Sequence, residues 1–190
     1  MATTIVFIDA RVKDKESLIS QFGNGIEYHI LDAELDGITQ MLDVLSGRTA
    51  LDSIQVISHG SAGSISIGST VLDTSSISAY SSQLSAIGSS LNDTGDILLY
   101  GCSVGAGTEG HAFVDTLAAL TGADVAASDD PTGGIVSGGD WALEVQSGEV
   151  EQHELVLSEG YPSLLSSAIR SIPSTKQLFP GHTMGEWSNN

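Results

Sequence analysis

Apolar residues along the chain fall into short β-rich runs that alternate with stretches of helical spacing, most of them closed by glycine or an acid. Thr4–Asp9 predicts a first strand, and Glu16–Phe22 sets Leu18, Ile19 and Phe22 on one face of a short helix. Gly23-Asn24-Gly25 turns the chain into a second strand, Ile26–Leu31. Asp36–Leu45 spaces Ile38, Met41, Leu42 and Leu45 as a helix that Gly47 ends. Ser53–Ser58 predicts a third strand running directly into His59-Gly60, and Ser64–Ile67 with Thr70–Leu72 a small hairpin around Gly68-Ser69. A serine-rich helix is expected over Ser75–Ser90, with Ile77, Tyr80, Leu84 and Ile87 on one face. A fourth strand, Asp96–Tyr100, ends at Gly101-Cys102. Thr108 is placed to cap a helix carrying Phe113, Val114, Leu117 and Leu120, which Gly122 closes. A fifth strand, Asp124–Ala127, ends at Ser128-Asp129-Asp130-Pro131, and Trp141–Gln146 with Val150–Leu155 predicts a final hairpin.

Strands alternating with helices predict an α/β domain in three layers, with a mostly parallel central sheet, helices on both faces and small β-hairpins. The expected domain spans residues 1–157. Beyond it the chain is interrupted by Pro173 and Pro180-Gly181, so 158–190 reads as a tail, linker or propeptide-like segment. In open parallel sheets functional groups collect beyond the carboxyl ends of the strands. His59, Cys102 and the pair Asp129/Asp130 each come directly after an apolar strand, which predicts three polar candidates on one rim.

Charge removes several function classes. Six Lys and Arg face 24 Asp and Glu, for a net charge of −18, and nothing basic lies between Arg48 and Arg170. Nucleic-acid binding needs clustered cations to neutralise phosphates, and attraction to anionic lipid needs the same, so neither partner is expected. No apolar run approaches the length of a membrane span. The start lacks the basic region of a secretory signal, which suits the cytoplasm or export without an N-terminal signal peptide. A single Cys excludes an internal disulfide and a Cys-rich zinc site, and no paired-histidine metal spacing occurs. No cofactor or metal is expected; acid-rich loops leave Ca²⁺ activation open, without EF-hand spacing to support it.

A lone Cys with an upstream His invites nucleophilic chemistry, because a thiol attacks a carbonyl as thiolate and an imidazole within reach can take its proton. Gly60 would let its N–H approach a substrate carbonyl, and with the Cys102 N–H it could form an oxyanion hole. The bland alternative is a small buried hydrophobe at Cys102. A different chemistry is also written here. Gly101-Cys102-Ser103-Val104-Gly105 matches G-x-S-x-G, and Ser103, Asp129 or Asp130, and His153 fall in the chain order of a serine hydrolase. Against that elbow, Gly105-Ala106-Gly107 intervenes before the next helix. His29 reads as structural, and His111 as a surface group on the helix after Cys102.

Ile54–Gly60 (IQVISHG) followed by Ile97–Val104 (ILLYGCSV) resembles the His-Gly and Cys blocks of the caspase/gingipain/clostripain group of cysteine peptidases. VFIDARV, LDSIQVISHGSAGSISIGS, DILLYGCSVGAG, LTGADVAASDDPTG and GGDWALEV extend the likeness, about three quarters of the chain in all, to a bacterial domain of that group found near the N-terminus of large cadherin- or RTX-repeat adhesin-like proteins. The resemblance implies a caspase-like fold and a cysteine endopeptidase with a dyad of His59 and Cys102, or else an inactive scaffold or interaction module that keeps the fold. The QACxG motif of animal caspases is absent, and so is a core Arg to bind an acidic side chain. With Asp129 and Asp130 on the rim, the expected S1 pocket is acidic and the expected substrate a peptide or protein with Arg or Lys at P1. Beyond the domain the only basic residues are Arg170 and Lys176. Hence the tail is expected either to be cut after one of them or to occupy the site as an inhibitory segment.

Overall fold

In the computed structural model, which describes residues 3–151, 155 and 161–166, a six-stranded sheet forms the centre of the molecule. Its strands are β1 (Thr4–Asp9), β2 (Ile26–Leu31), β3 (Leu51–Ile57), β7 (Leu91–Tyr100), β8 (Asp124–Ala127) and β9 (Val145–Ser147), in the spatial order β2-β1-β3-β7-β8-β9. All neighbours pair parallel except β8 with β9. A second, antiparallel sheet of β4 (Gly60–Ser61), β5 (Ser64–Ile67) and β6 (Thr70–Asp73) comes after β3. The α/β class and mostly parallel sheet expected from the sequence are therefore present, with the small hairpin as an addition at the rim.

The central strands read as unbroken apolar runs because both sheet faces are covered, as parallel sheets require. Alternate side chains go to opposite layers. Ile5, Phe7, Ile54, Val56, Ile97, Leu99, Val125 and Ala127 meet α2 (Gly37–Leu45), α3 (Ser81–Gly88) and α4 (Gly107–Thr121). Val6, Ile8, Ile57, Leu98, Tyr100 and Ala126 face the other way. There they meet Leu18 of α1 (Lys15–Ile19) together with Val12, Leu143, Leu155, Tyr161 and Leu165. That second layer is mostly loop and C-terminal chain. Tyr161 and Leu165 are fully buried in it, so the folded unit runs past the expected boundary at residue 157.

β7 begins at Leu91 rather than Asp96 and α1 ends at Ile19 rather than Phe22, and three further expected elements differ for a local reason. The serine-rich helix splits into a 3₁₀ turn at Ile77–Tyr80 followed by α3. The Asp73 carboxylate accepts hydrogen bonds from the N–H groups of Ser75 and Ser76, and such local capture competes with helix formation. α4 begins at Gly107 rather than under a Thr108 cap, and Gly122 closes it in the left-handed conformation at φ 74°. Trp141–Glu144 is not a strand: the Trp141 ring instead sits between Tyr100 and Tyr161, with centroids 5.9 and 5.5 Å away. The second arm of that expected hairpin, Val150–Leu155, falls partly outside the described residues.

α3 and α4 touch at Gly88, where a Cβ would lie 1.9 Å from the Thr121 carbonyl oxygen, so only glycine allows this approach. Phe113, fully buried on α4, fills the layer between the two helices and the sheet. Phe113→Ala is expected to lower unfolding free energy by about 3–5 kcal/mol. The urea midpoint measures it, with an unchanged m value if the cavity is the whole cause.

Candidate active site

The rim is set by the pairing of β3 with β7, in which Ile57 stands level with Tyr100. Both side chains point into the second layer. A further ladder bond, Ser58 N–H to Tyr100 O at 2.9 Å, carries the pairing one step beyond β3. His59 and Cys102 each come two residues past the level pair, at the same edge of the sheet, and their side chains make no hydrogen bond to each other. Gly60 and the Gly101–Gly105 loop are in direct contact: a Cβ on Gly60 would lie 3.1 Å from the Cys102 carbonyl oxygen and 2.4 Å from Val104.

His59 is half-buried, and its two ring nitrogens have different fates. Nε2 lies 3.2 Å from the Arg11 carbonyl oxygen, which can only accept, so Nε2 carries the hydrogen. A neutral ring then presents Nδ1 as its basic lone pair. That Nδ1 is buried and has no hydrogen-bond partner among the described residues. Buried polar atoms are nearly always satisfied, and Nδ1, like Gln55 Oε1 and Thr132 Oγ1, is an exception among the described residues. The Arg11 carbonyl is itself held in place. Asp9, buried at the end of β1, accepts from Arg11 Nε at 2.8 Å, Arg11 N–H at 2.9 Å and Gly68 N–H at 2.8 Å, while Arg11 Nη2 also reaches Gly68 O. Burial would raise the Asp9 carboxyl, but these donors, the Arg11 guanidinium foremost, hold it below the usual range.

Cys102 sits in the second layer, buried beside Tyr100, Leu143, Tyr161 and Leu165. Its S–H donates to Thr132 O at 3.4 Å and its sulfur accepts from Thr132 N–H at 3.3 Å. Burial pushes the thiol up, N–H groups of Thr132 and Leu165 pull it down, and the charge of Asp130 pushes it further up. The resting group is a protonated thiol.

Segment 161–166 covers it. Leu165 offers its carbonyl to Gly60 N–H at 3.3 Å, the donor expected for an oxyanion, and gives its N–H to Thr132 O at 2.9 Å. Asp130 joins the Gly101–Gly105 loop through its backbone, accepting from Ser103 N–H at 2.7 Å. The Asp129 and Asp130 carboxylates gather with Glu144 within 4.8 Å of one another. Burial and the neighbouring Asp140, Glu144 and Asp129 charges raise Asp130. Ser103 adopts φ 59°, unusual for a side chain with a Cβ, and its hydroxyl has no hydrogen bond among the described residues. Four residues separate Cys102 from the start of α4, so the chain does not run from Ser103 straight into a helix. His29 bonds Glu27 at 2.7 Å and His111 is exposed on α4. Arg170, Lys176 and His153 lie outside the described residues.

Sequence reading passed over four contributors: Asp9 and Arg11, which orient His59; Thr132, which grips the sulfur; and Leu165, which lies over it. Asp9 and Arg11 were within reach, because VFIDARV ends an apolar strand on an acid and a base two apart. Thr132 and Leu165 carry no such signal. Residues 5–164 match the family described as Domain of unknown function (DUF4347). The chain belongs to that family. No curated protein matches the chain. The DUF4347 match ends at Leu164, so it includes the start of the covering segment and both rim residues.

The folded Asp9 carboxyl titrates below its unfolded value of about 3.9. Its stabilisation is therefore complete above that value and is lost as pH falls through the folded pKa. Asp9→Asn is expected to cost stability at pH 7 and to differ from wild type progressively less below about pH 4. Urea midpoints at pH 7 and pH 3 measure the gap. A gap of equal size at both would mean the carboxylate charge is irrelevant there.

Proposed function

We propose that this DUF4347 domain is a caspase-like cysteine endopeptidase in which His59 and Cys102 form the dyad. The observation that carries the reading is the orphaned His59 Nδ1, on a ring tethered through Nε2 to Arg11 O at the end of the strand next to the one that leads into Cys102. In this scheme Nδ1 takes the Cys102 proton and the sulfur attacks a peptide carbonyl carbon, while Gly60 N–H stabilises the developing negative charge. His59 then returns the proton to the leaving amine, and water resolves the thioester. The Arg11 carbonyl stabilises the imidazolium formed on the way, a part that needs only a fixed acceptor at Nε2.

The raised pKa of the resting thiol fits a dyad in which the proton moves to His59 as attack begins, rather than a preformed thiolate. The expected preference for Arg or Lys rests on Asp129 and Asp130. Their carboxylates group with Glu144, and the residue seated against Gly60 N–H is Leu165. Arginine and leucine substrates therefore both belong in the assay.

Cys102→Ala is expected to abolish hydrolysis of peptidyl coumarin amides, and His59→Ala to reduce it by about 10²–10⁴-fold. Ser103→Ala should retain wild-type turnover. Loss in the serine variant with survival of the cysteine variant would hand the site to the G-x-S-x-G chemistry. No turnover in wild type, and no labelling of Cys102 by peptidyl-Arg or peptidyl-Leu electrophiles, would leave the domain as a scaffold.

A further inference from the structure

The segment Tyr161–Ser166 lies along the rim as an extended peptide, and its hydrogen bonds run in strand order. Leu165 gives its N–H to Thr132 O at 2.9 Å and its carbonyl accepts from Gly60 N–H at 3.3 Å. Two residues earlier Ser163 O accepts from Gly134 N–H at 2.9 Å, and Leu164 pairs antiparallel with Gly133. Leu165 N–H and the Cys102 S–H donate to the same acceptor, Thr132 O, at 2.9 and 3.4 Å. Sharing that acceptor sets the Leu165 backbone and the thiol in one buried cluster. One residue thus has its carbonyl oxygen at the proposed oxyanion donor, its N–H fixed by pairing and its backbone joined to the thiol through Thr132 O. A peptide held for acyl transfer needs its carbonyl and its backbone fixed in this way.

Burying Leu165 requires its carbonyl to find a donor, but it does not require that donor to be Gly60 N–H. The backbone, however, has been given room. A Cβ on Gly134 would lie 1.8 Å from Tyr161 O, and one on Gly133, at φ 136°, would lie 2.4 Å from Ser163 O. Only glycines admit the segment this close. The two sides of the Leu165–Ser166 bond also differ: Leu165 is fully buried in the layer with Cys102, Leu143 and Tyr161, whereas Ser166 is exposed. The acyl side is enclosed and the leaving side is open.

We propose that the chain is a substrate of its own site, cut by Cys102 between Leu165 and Ser166, and that the seat for the acyl residue is apolar and takes leucine. The inference rests on the peptidase reading above. His59 Nδ1 takes the thiol proton, the sulfur bonds to the Leu165 carbonyl carbon, and the oxyanion sits at Gly60 N–H. The Leu165–Ser166 C–N bond breaks as His59 protonates the Ser166 nitrogen, releasing the chain from Ser166 onward. Water, losing a proton to His59, then attacks the thioester to give a Leu165 carboxylate and the free thiol. No oxidant or cofactor enters.

The full chain of wild type, Cys102→Ala and His59→Ala is followed by intact mass, alongside hydrolysis of acetyl-Ser-Leu-Leu and acetyl-Ser-Leu-Arg coumarin amides. The expected result is a wild-type product ending at Leu165 and a fragment beginning at Ser166, with Cys102→Ala intact throughout. Cysteine-dependent cleavage at another bond, after Arg170 or Lys176 for example, overturns the inference and leaves the peptidase reading standing. So does a wild-type chain that stays intact while hydrolysing either added peptide. An intact chain that hydrolyses neither overturns both. The apolar seat is read with Leu165→Met, expected to self-cleave within about threefold of wild type, and Leu165→Arg, expected to be at least about tenfold slower. Should Leu165→Arg fail to fold, the leucine peptide turned over at least about tenfold faster than the arginine peptide makes the same point. The reverse preference overturns the apolar seat.

Discussion

Because β3 and β7 are parallel neighbours, their ladder fixes where His59 and Cys102 stand before any rim contact forms. Ile57 is level with Tyr100, and the same two-residue step from each reaches His59 and Cys102. A slip of one residue in that pairing would send one of them to the helical layer, since the side-chain period is two. The register is held because both faces are buried: Val56 and Leu99 have to meet α3 and α4 while Ile57 and Tyr100 meet the loop layer. The chain between His59 and Cys102 holds the small antiparallel sheet, a 3₁₀ turn and α3, enough to cross one face and return to the adjacent parallel strand.

How much was legible in the sequence depends on which interactions are local. Strands β1, β3, β7 and β8 announce themselves because burial on both faces demands apolar runs, and the strand-end positions of His59 and Cys102 come with them. The second layer was illegible for the opposite reason. Tyr161 and Leu165 sit in a serine-rich stretch with no period, and their burial depends on contacts made across the whole chain. The Tyr161 hydroxyl, for instance, donates to Lys13 O at 2.8 Å across 148 residues. Trp141 misled toward a strand because its alternation with Leu143 and Val145 is real, yet ring packing on Tyr100 and Tyr161 decides its backbone.

Much of the rim is built from backbone groups, which side-chain patterns cannot announce. Carbonyls of Arg11 and Thr132 hold the histidine ring and the thiol, and N–H groups of Gly60, Thr132 and Gly134 face the covering segment or the sulfur beneath it. Such groups need close approach, so glycine supplies the visible trace: Gly60 against Cys102 and Gly133-Gly134 against the segment. A glycine pair after a strand end, read as a place where another chain segment pairs, is the one signal that could have located this cleft from the sequence.

The charge of the rim works against the thiolate. Reactive cysteines with depressed pKa values sit in electropositive surroundings, and here burial foremost, with the Asp130 carboxylate behind it, raises Cys102, while burial and then Asp140, Glu144 and Asp129 raise Asp130. Arg11, beside the His59 ring, is committed to Asp9 and Gly68. A thiol in this setting stays protonated unless something takes its proton at the moment of attack, and Nδ1 of His59 is a buried base left without a partner among the described residues. On the peptidase reading, the acidic rim and the orphaned nitrogen are two halves of one arrangement. The field suppresses the free nucleophile, and the dyad releases it only against a carbonyl already lodged at Gly60.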